Sequence, residues 1–103
     1  MVDIYSSLNF ETEFGSEVIE RGKKVKLVIA DVDGVLTDGS IYKAKDPETL
    51  ADIEFKQFSI LDGAGIALAR LLDLRVAIIS GRPSSATDAR AKELKIEDVY
   101  TGL

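Results

Sequence analysis

The sequence predicts an α/β fold, a Rossmann-like parallel sheet with a β-hairpin inserted after its first strand. Three observations carry this expectation. Two short apolar runs, Leu27-Val28-Ile29-Ala30 and Val76-Ala77-Ile78-Ile79, read as strands buried on both faces of a parallel sheet. Each run stops at polar residues, Asp31-Val32-Asp33-Gly34 in the first case and Ser80-Gly81-Arg82-Pro83 in the second. Segments with helical spacing follow, so the order is strand, hairpin, helix, strand, helix, strand. That alternation implies right-handed crossovers and parallel pairing.

The elements follow in chain order. Residues 1–15 mix acids, Ser, Asn and scattered aromatics and read as a tail, leaving 16–103 as the folded part. Ser16-Glu17-Val18-Ile19-Glu20-Arg21-Gly22 suits a short helix, with Ser16 as cap and Gly22 as stop. After the first strand, about 39–59 forms the hairpin. One arm is Gly39-Ser40-Ile41-Tyr42-Lys43-Ala44-Lys45, the turn is Asp46-Pro47-Glu48-Thr49, and the alternating stretch 51–58 is the return arm. The segment 64–74 has apolar residues at Ile66, Ala67, Leu68, Leu71, Leu72 and Leu74, close to helical spacing. The next strand is 75–79. Ser84 or Ser85 can cap a further helix running to about Leu94, and Ser85 with Asp88 resembles a capping box. Val99-Tyr100 opens a third strand.

Composition narrows the function. The chain has 103 residues, enough for one small domain, and 46% are hydrophobic, which suits a packed core. Its net charge of −5 disfavours a general nucleic-acid binder. With no cysteine and no histidine, thiol nucleophiles, zinc–thiolate sites and a Ser–His–Asp triad are excluded within this sequence. Acid–base chemistry must then use carboxylates, lysines, tyrosines or metal-bound water. No apolar run reaches the roughly 18–20 residues of a membrane span, and no signal-peptide pattern opens the chain. The expectation is a cytoplasmic protein that binds neither membrane nor nucleic acid.

The candidate chemistry sits where the strands end, because ligands of open α/β sheets bind at the C-terminal ends of their strands. Asp31 and Asp33, two residues apart on an extended segment, project to the same side. Two carboxylates so close become tolerable if a divalent cation lies between them or if one is protonated. The plainer alternative is a pair of turn formers beside Gly34. Asp62-Gly63-Ala64-Gly65 contains G-x-G, but Leu68 stands where a dinucleotide fingerprint needs Gly or Ala, so nucleotide binding is rejected. That segment reads either as a helix start capped by Asp62 or as a turn lining the pocket.

Leu27 to Gly39, LVIADVDGVLTDG, resembles the first signature of the haloacid dehalogenase superfamily of phosphotransferases. Ile78-Ile79-Ser80-Gly81-Arg82 resembles the second. Phe58 to Ile66, FSILDGAGI, with the hairpin before it, is similar to the 3-deoxy-D-manno-octulosonate 8-phosphate phosphatases and their sialic-acid-type relatives. The resemblance implies Mg²⁺-dependent hydrolysis of a phosphorylated sugar acid in lipopolysaccharide biosynthesis. Asp31 would be the nucleophile and Asp33 the general acid and base. Mg²⁺ would be held by the Asp31 carboxylate and the Asp33 backbone carbonyl. Phosphate or substrate contacts would come from Gly34, Val35, Thr37, Ser80, Gly81, Arg82 and Asp62, with Asp38 nearby. Leu61 stands where many relatives carry Arg, which removes one anchor for a substrate carboxylate. The resemblance also implies a homotetramer packed through the hairpin, using Ile41, Ile53, Phe55 and Phe58. Burial of those side chains within the monomer is the alternative.

The superfamily site further needs a lysine after the third strand and an acidic pair after the fourth, and the 103 residues contain neither. Lys92 and Lys95 read as surface charge. The resemblance therefore implies a haloacid-dehalogenase-type sheet that is incomplete, its last strands absent and residues 27–30 left as an apolar edge. Three functions follow: a phosphatase, a non-catalytic oligomerisation or interaction module, or a remnant that binds phosphate or Mg²⁺ without turnover.

Overall fold

The computed structural model describes residues 13–103, so the expected tail lies outside the described residues except at 13–15. The elements are α1 (Ser16–Gly22), β1 (Leu27–Ala30), β2 (Tyr42–Lys45), β3 (Asp52–Phe55), α2 (Ile60–Leu71), β4 (Arg75–Ser80), α3 (Ser85–Glu93) and β5 (Asp98–Thr101). β4 lies between β1 and β5 and runs parallel to both, with Ala30 opposite Ile78 and Ile78 opposite Val99. β2 and β3 form a separate antiparallel pair, the expected hairpin, with Tyr42 opposite Phe55. Among the described residues, no helix is long and apolar enough to cross a membrane.

The central position of β4 explains its burial. Ala77, Ile78 and Ser80 are all buried, and Ile78 joins Val32, Ala91 and Ile96 in the core. Leu36, Phe58, Ile66, Val76, Leu94 and Val99 pack around that cluster. Burying one such aliphatic side chain contributes about 1.5–3 kcal/mol. β1 has a different environment. Its apolar run reads as buried on both faces, yet it is an edge strand, and Ile29 is 55% exposed. The incomplete sheet implied by the resemblance accounts for this.

Helix ends depart from the sequence reading in instructive ways. α1 is capped by Gly15 and has no side-chain cap bond, so Ser16 is its first residue and not its cap. α2 begins earlier than expected, because Ser59 is the cap and its hydroxyl accepts from the Leu61 amide at 3.2 Å. Asp62 is therefore a first-turn acid, favourable at the positive end of the helix, and not the cap. α2 also stops earlier. The Leu74 amide bonds the Ala69 carbonyl at 2.8 Å and the Asp73 amide bonds that of Arg70, the two bonds of a Schellman ending. No glycine marks this stop; Asp73 takes the left-handed conformation itself, with φ of 59°. α3 ends the same way through Ile96 to Ala91 and Lys95 to Lys92, with Lys95 at φ of 58°. Its cap is Ser84, whose Oγ accepts from the Thr87 amide, so the Ser85–Asp88 capping box does not form.

Gly63 lets α2 approach α3. A Cβ there would lie 2.8 Å from the Arg90 guanidinium and 3.2 Å from a Leu94 methyl. Arg90 uses this closeness to donate to the Ser59 carbonyl at 3.1 Å and to lie 5.8 Å over the Phe58 ring. These contacts fix the segment by which the hairpin returns to the sheet. β3 itself is anchored by charge. The Glu54 carboxylate accepts from Arg82 at 2.6 Å and from the Ser84 hydroxyl at 2.7 Å. Those two hydrogen bonds, Arg82's the larger, hold the Glu54 carboxyl below its ordinary range.

Replacing Lys95 with Gly is expected to stabilise the chain by about 0.5–1 kcal/mol, the relief of left-handed strain less the added freedom of the unfolded chain. The check is a shift of the urea midpoint at unchanged slope. Glu54 predicts an acid-sensitive hairpin. A lowered folded pKa gives stability that is complete above the unfolded value and lost as pH falls through the folded one. The unsubstituted chain should therefore melt above Glu54→Gln at pH 6, and that gap should close below the ordinary glutamate range. A gap unchanged down to pH 3 would contradict this.

Candidate active site

The site grows from one alternation at the end of β1. Val32 is fully buried in the core, which turns its neighbours outward. Asp31 is exposed and Asp33 is half-buried. The Val32 carbonyl then accepts from the amides of Val35, Leu36 and Thr37 at 3.1, 2.9 and 3.1 Å, closing a tight turn. Gly34 makes that turn possible with φ of 84°, a conformation other residues adopt only at a cost.

Thr37 holds the loop together. Its buried hydroxyl accepts from the Gly34 amide at 3.2 Å and the Gly39 amide at 3.1 Å, and it lies 3.5 Å from the Val32 carbonyl, to which it donates. One donor and two acceptor positions are thereby used within the loop. The Gly34 and Val35 amides likewise have acceptors within the loop. Asp38 receives the Ser40 amide in an Asx turn at 2.9 Å. Asp31 accepts from the Val32 amide at 2.7 Å through Oδ1.

Parallel pairing of β1 with β4 brings the second polar strand end alongside. Ser80 is buried as the last residue of β4. Its hydroxyl closes a local turn with the Arg82 amide and carbonyl, both at 3.3 Å, and Gly81 forms the exposed bend between them. The Arg82 side chain is directed to Glu54, while its Nη1 is buried without a hydrogen-bond partner. Asp62 lies on the first turn of α2 and shares an open groove with Val35, Thr37, Asp38 and Gln57.

Two residues of the site are absent from the sequence reading. Glu54 and Lys56 stand two apart on the return arm of the hairpin, on the charged face of its alternation. Such a face normally meets solvent. Here the Lys56 side chain is buried, and its Nζ donates to Asp33 Oδ1 at 2.8 Å and to Thr87 Oγ1 at 3.5 Å. The available signal was the aspartate pair itself, whose mutual repulsion a nearby cation relieves.

The donor set suits a hard cation. Asp31 and Asp33 offer only oxygen, and Mg²⁺ favours oxygen ligands while retaining several waters. Lys56 engages Oδ1 of the Asp33 carboxylate, and the resemblance implies the Asp33 backbone carbonyl as the metal donor. Among the described residues, no group of three or more acidic, His or Cys side chains forms a self-sufficient metal cage.

No family model matches the chain. The chain is 40% identical over 87 residues to the 3-deoxy-D-manno-octulosonate 8-phosphate phosphatase of Escherichia coli strain K12, which covers 84% of this chain and 44% of that protein. The enzyme of that name from Moraxella catarrhalis, solved with magnesium, phosphate and a KDO molecule, superposes with a TM-score of 0.73 at 38% identity over 84% of this chain and 47% of that one. A hydrolase of the HAD superfamily, subfamily III A, from Legionella pneumophila gives 0.73 at 38% identity over 92% and 49%. The chain thus spans about half the length of the relatives it matches. Sequence and fold agree: over most of its length the chain is similar to the N-terminal portion of the 3-deoxy-D-manno-octulosonate 8-phosphate phosphatases and to a hydrolase of the HAD superfamily.

Proposed function

We propose that the chain provides the nucleophile-bearing part of a phosphatase acting on a phosphorylated sugar acid of the 3-deoxy-D-manno-octulosonate 8-phosphate type. The observation that carries this reading is the Asp31-Val32-Asp33 turn at the C-terminal end of β1, beside Ser80 at the same end of β4. Its relatives are phosphatases of that substrate by name.

Asp31 is the exposed member of the pair and attacks phosphorus through a carboxylate oxygen. An aspartyl phosphate forms as the bond from phosphorus to the sugar oxygen breaks. Asp33 gives its proton to the departing alkoxide, then takes one from the water that attacks the intermediate. That second displacement returns Asp31 and releases inorganic phosphate. The Ser80 hydroxyl is close at hand as a donor to phosphoryl oxygens once it leaves its local turn, and Gly81 keeps that bend open. The Gly34 and Val35 amides face the same choice between loop and phosphate. Arg82 and Asp62 border the space a sugar acid would occupy. Asp31, with the Asp33 carbonyl, would hold Mg²⁺, which supplies charge neutralisation for the phosphoryl group.

A specific observation also favours association between copies. Tyr42 and Phe55 are cross-strand partners on the hairpin, 55% and 56% exposed, while Phe58 packs on the core and Ile41 and Ile53 are half-buried. A homotetramer built through the hairpin, and a purely non-catalytic oligomerisation role, both draw on this exposed pair.

The test is phosphate release from 3-deoxy-D-manno-octulosonate 8-phosphate with and without Mg²⁺. Turnover is expected to need the metal. Asp31→Asn should lower kcat by at least about 10³-fold, because the residue supplies the bond-forming atom. Ser80→Ala should lower kcat/KM by about 10- to 100-fold, through one lost phosphate contact. Turnover that survives in Asp31→Asn would remove it as nucleophile. Metal-independent inactivity with a hairpin-dependent oligomer in sedimentation would favour the non-catalytic role.

A further inference from the structure

We infer that Lys56 is a positioning residue for Asp33: its ammonium is the built-in counter-cation of the aspartate loop, delivered by the hairpin. The inference rests on the phosphatase reading and goes beyond it, because it makes the inserted hairpin a working part of the site.

Three observations combine. The first is burial. Among the described residues, Lys56 is the one charged side chain in an ion pair with no side-chain exposure, and its Nζ lies 2.8 Å from Asp33 Oδ1. An ammonium is withdrawn from water only where a counter-charge meets it, so the pair specifies its own geometry. The second is convergence. Lys56 follows β3, Asp33 lies in the loop after β1, and Thr87, 3.5 Å from Nζ, is in the first turn of α3. One ammonium thus ties three elements together at the catalytic end of the sheet. The third is the second anchor. Glu54 projects to the same side two residues earlier and binds Arg82 and Ser84. With β3 pinned there, Lys56 is held in register against Asp33.

The chemical consequence concerns which oxygen carries the proton. Lys56 occupies Oδ1 of Asp33. The carboxylate is therefore oriented with Oδ2 available to give a proton to the leaving alkoxide and to take one from water. The same ammonium offsets the repulsion between Asp33 and Asp31 before any cation arrives. A group acting this way touches no reacting atom, so its removal should be felt in kcat more than in KM. Displacement of a reacting group by about an ångström costs up to roughly 10²-fold.

The experiment combines a stability cycle with kinetics on the full chain. Melting temperatures of Lys56→Met, Asp33→Asn and the double variant measure the pairing without requiring turnover. The expected result is a double variant that loses less than the sum of the single losses. Kinetics with 3-deoxy-D-manno-octulosonate 8-phosphate and Mg²⁺ then compare Lys56→Met, Lys56→Arg and Glu54→Gln, the last loosening the other hairpin anchor. Lys56→Met should lower kcat by about 10- to 100-fold with KM changed less than about 3-fold, and Lys56→Arg should regain part of it. Glu54→Gln should lower kcat less for a similar loss of melting temperature. Additive melting losses overturn the inference. So does a Lys56→Met variant that behaves like Glu54→Gln in an active protein. If the unsubstituted chain shows no Mg²⁺-dependent turnover, the phosphatase reading fails and takes this inference with it, a result distinct from the other two.

Discussion

The burial of Val32 is the constraint from which the site follows. This side chain has no exposure, and it stands between the two aspartates. Inserting it into the core beside Ile78 obliges Asp31 and Asp33 to face away from the core. Its carbonyl then gathers three amides, so the chain leaves β1 through a rigid turn rather than a mobile loop. Thr37 completes the arrangement by bridging two glycine amides. The aspartates are positioned mainly by apolar packing and by hydrogen bonds that spare their own outer oxygens.

Electrostatics attaches the hairpin to this frame. A two-stranded ribbon has little stability alone, and it gains its place here through contacts with the body of the fold. Glu54 reaches the loop after β4, Lys56 reaches the loop after β1, and Arg90 holds the exit through Ser59 and Phe58. The two strand ends that carry the candidate chemistry are thus each tied to the hairpin. A shift of the ribbon would be transmitted to both. The inserted element is better described as a wall of the site than as a separate appendage.

The sheet is asymmetric. β4 is enclosed, β5 covers one side of it, and β1 presents an open edge with an apolar face. The strand that leads into the aspartate pair is therefore an exposed edge of the three-stranded sheet. The relatives are about twice as long as this chain. An uncovered apolar edge is also a route to aggregation.

Local information was sufficient for several features. The apolar runs specified strands, the polar breaks located their C-terminal ends, and Asp-Pro-Glu-Thr marked the hairpin turn. Asp31, Asp33 and Ser80 were legible because their type and position relative to a buried strand depend on neighbours in sequence. Helix stops were less so. Asp73 and Lys95 take left-handed conformations that are usual for glycine, so the sequence carried no familiar stop at either place.

Lys56 and Glu54 mark the boundary between the two kinds of information. On the sequence they belong to the charged face of an alternating strand, and such faces normally point to water. The fold turns that face onto the ends of β1 and β4. The sequence by itself determined the strands, the hairpin and the aspartate pair, because these follow from periodicity and from residues adjacent in the chain. Only the tertiary structure decided which cation meets Asp33 and which acid holds Arg82, because those partners lie more than twenty residues apart and become neighbours only when the hairpin docks.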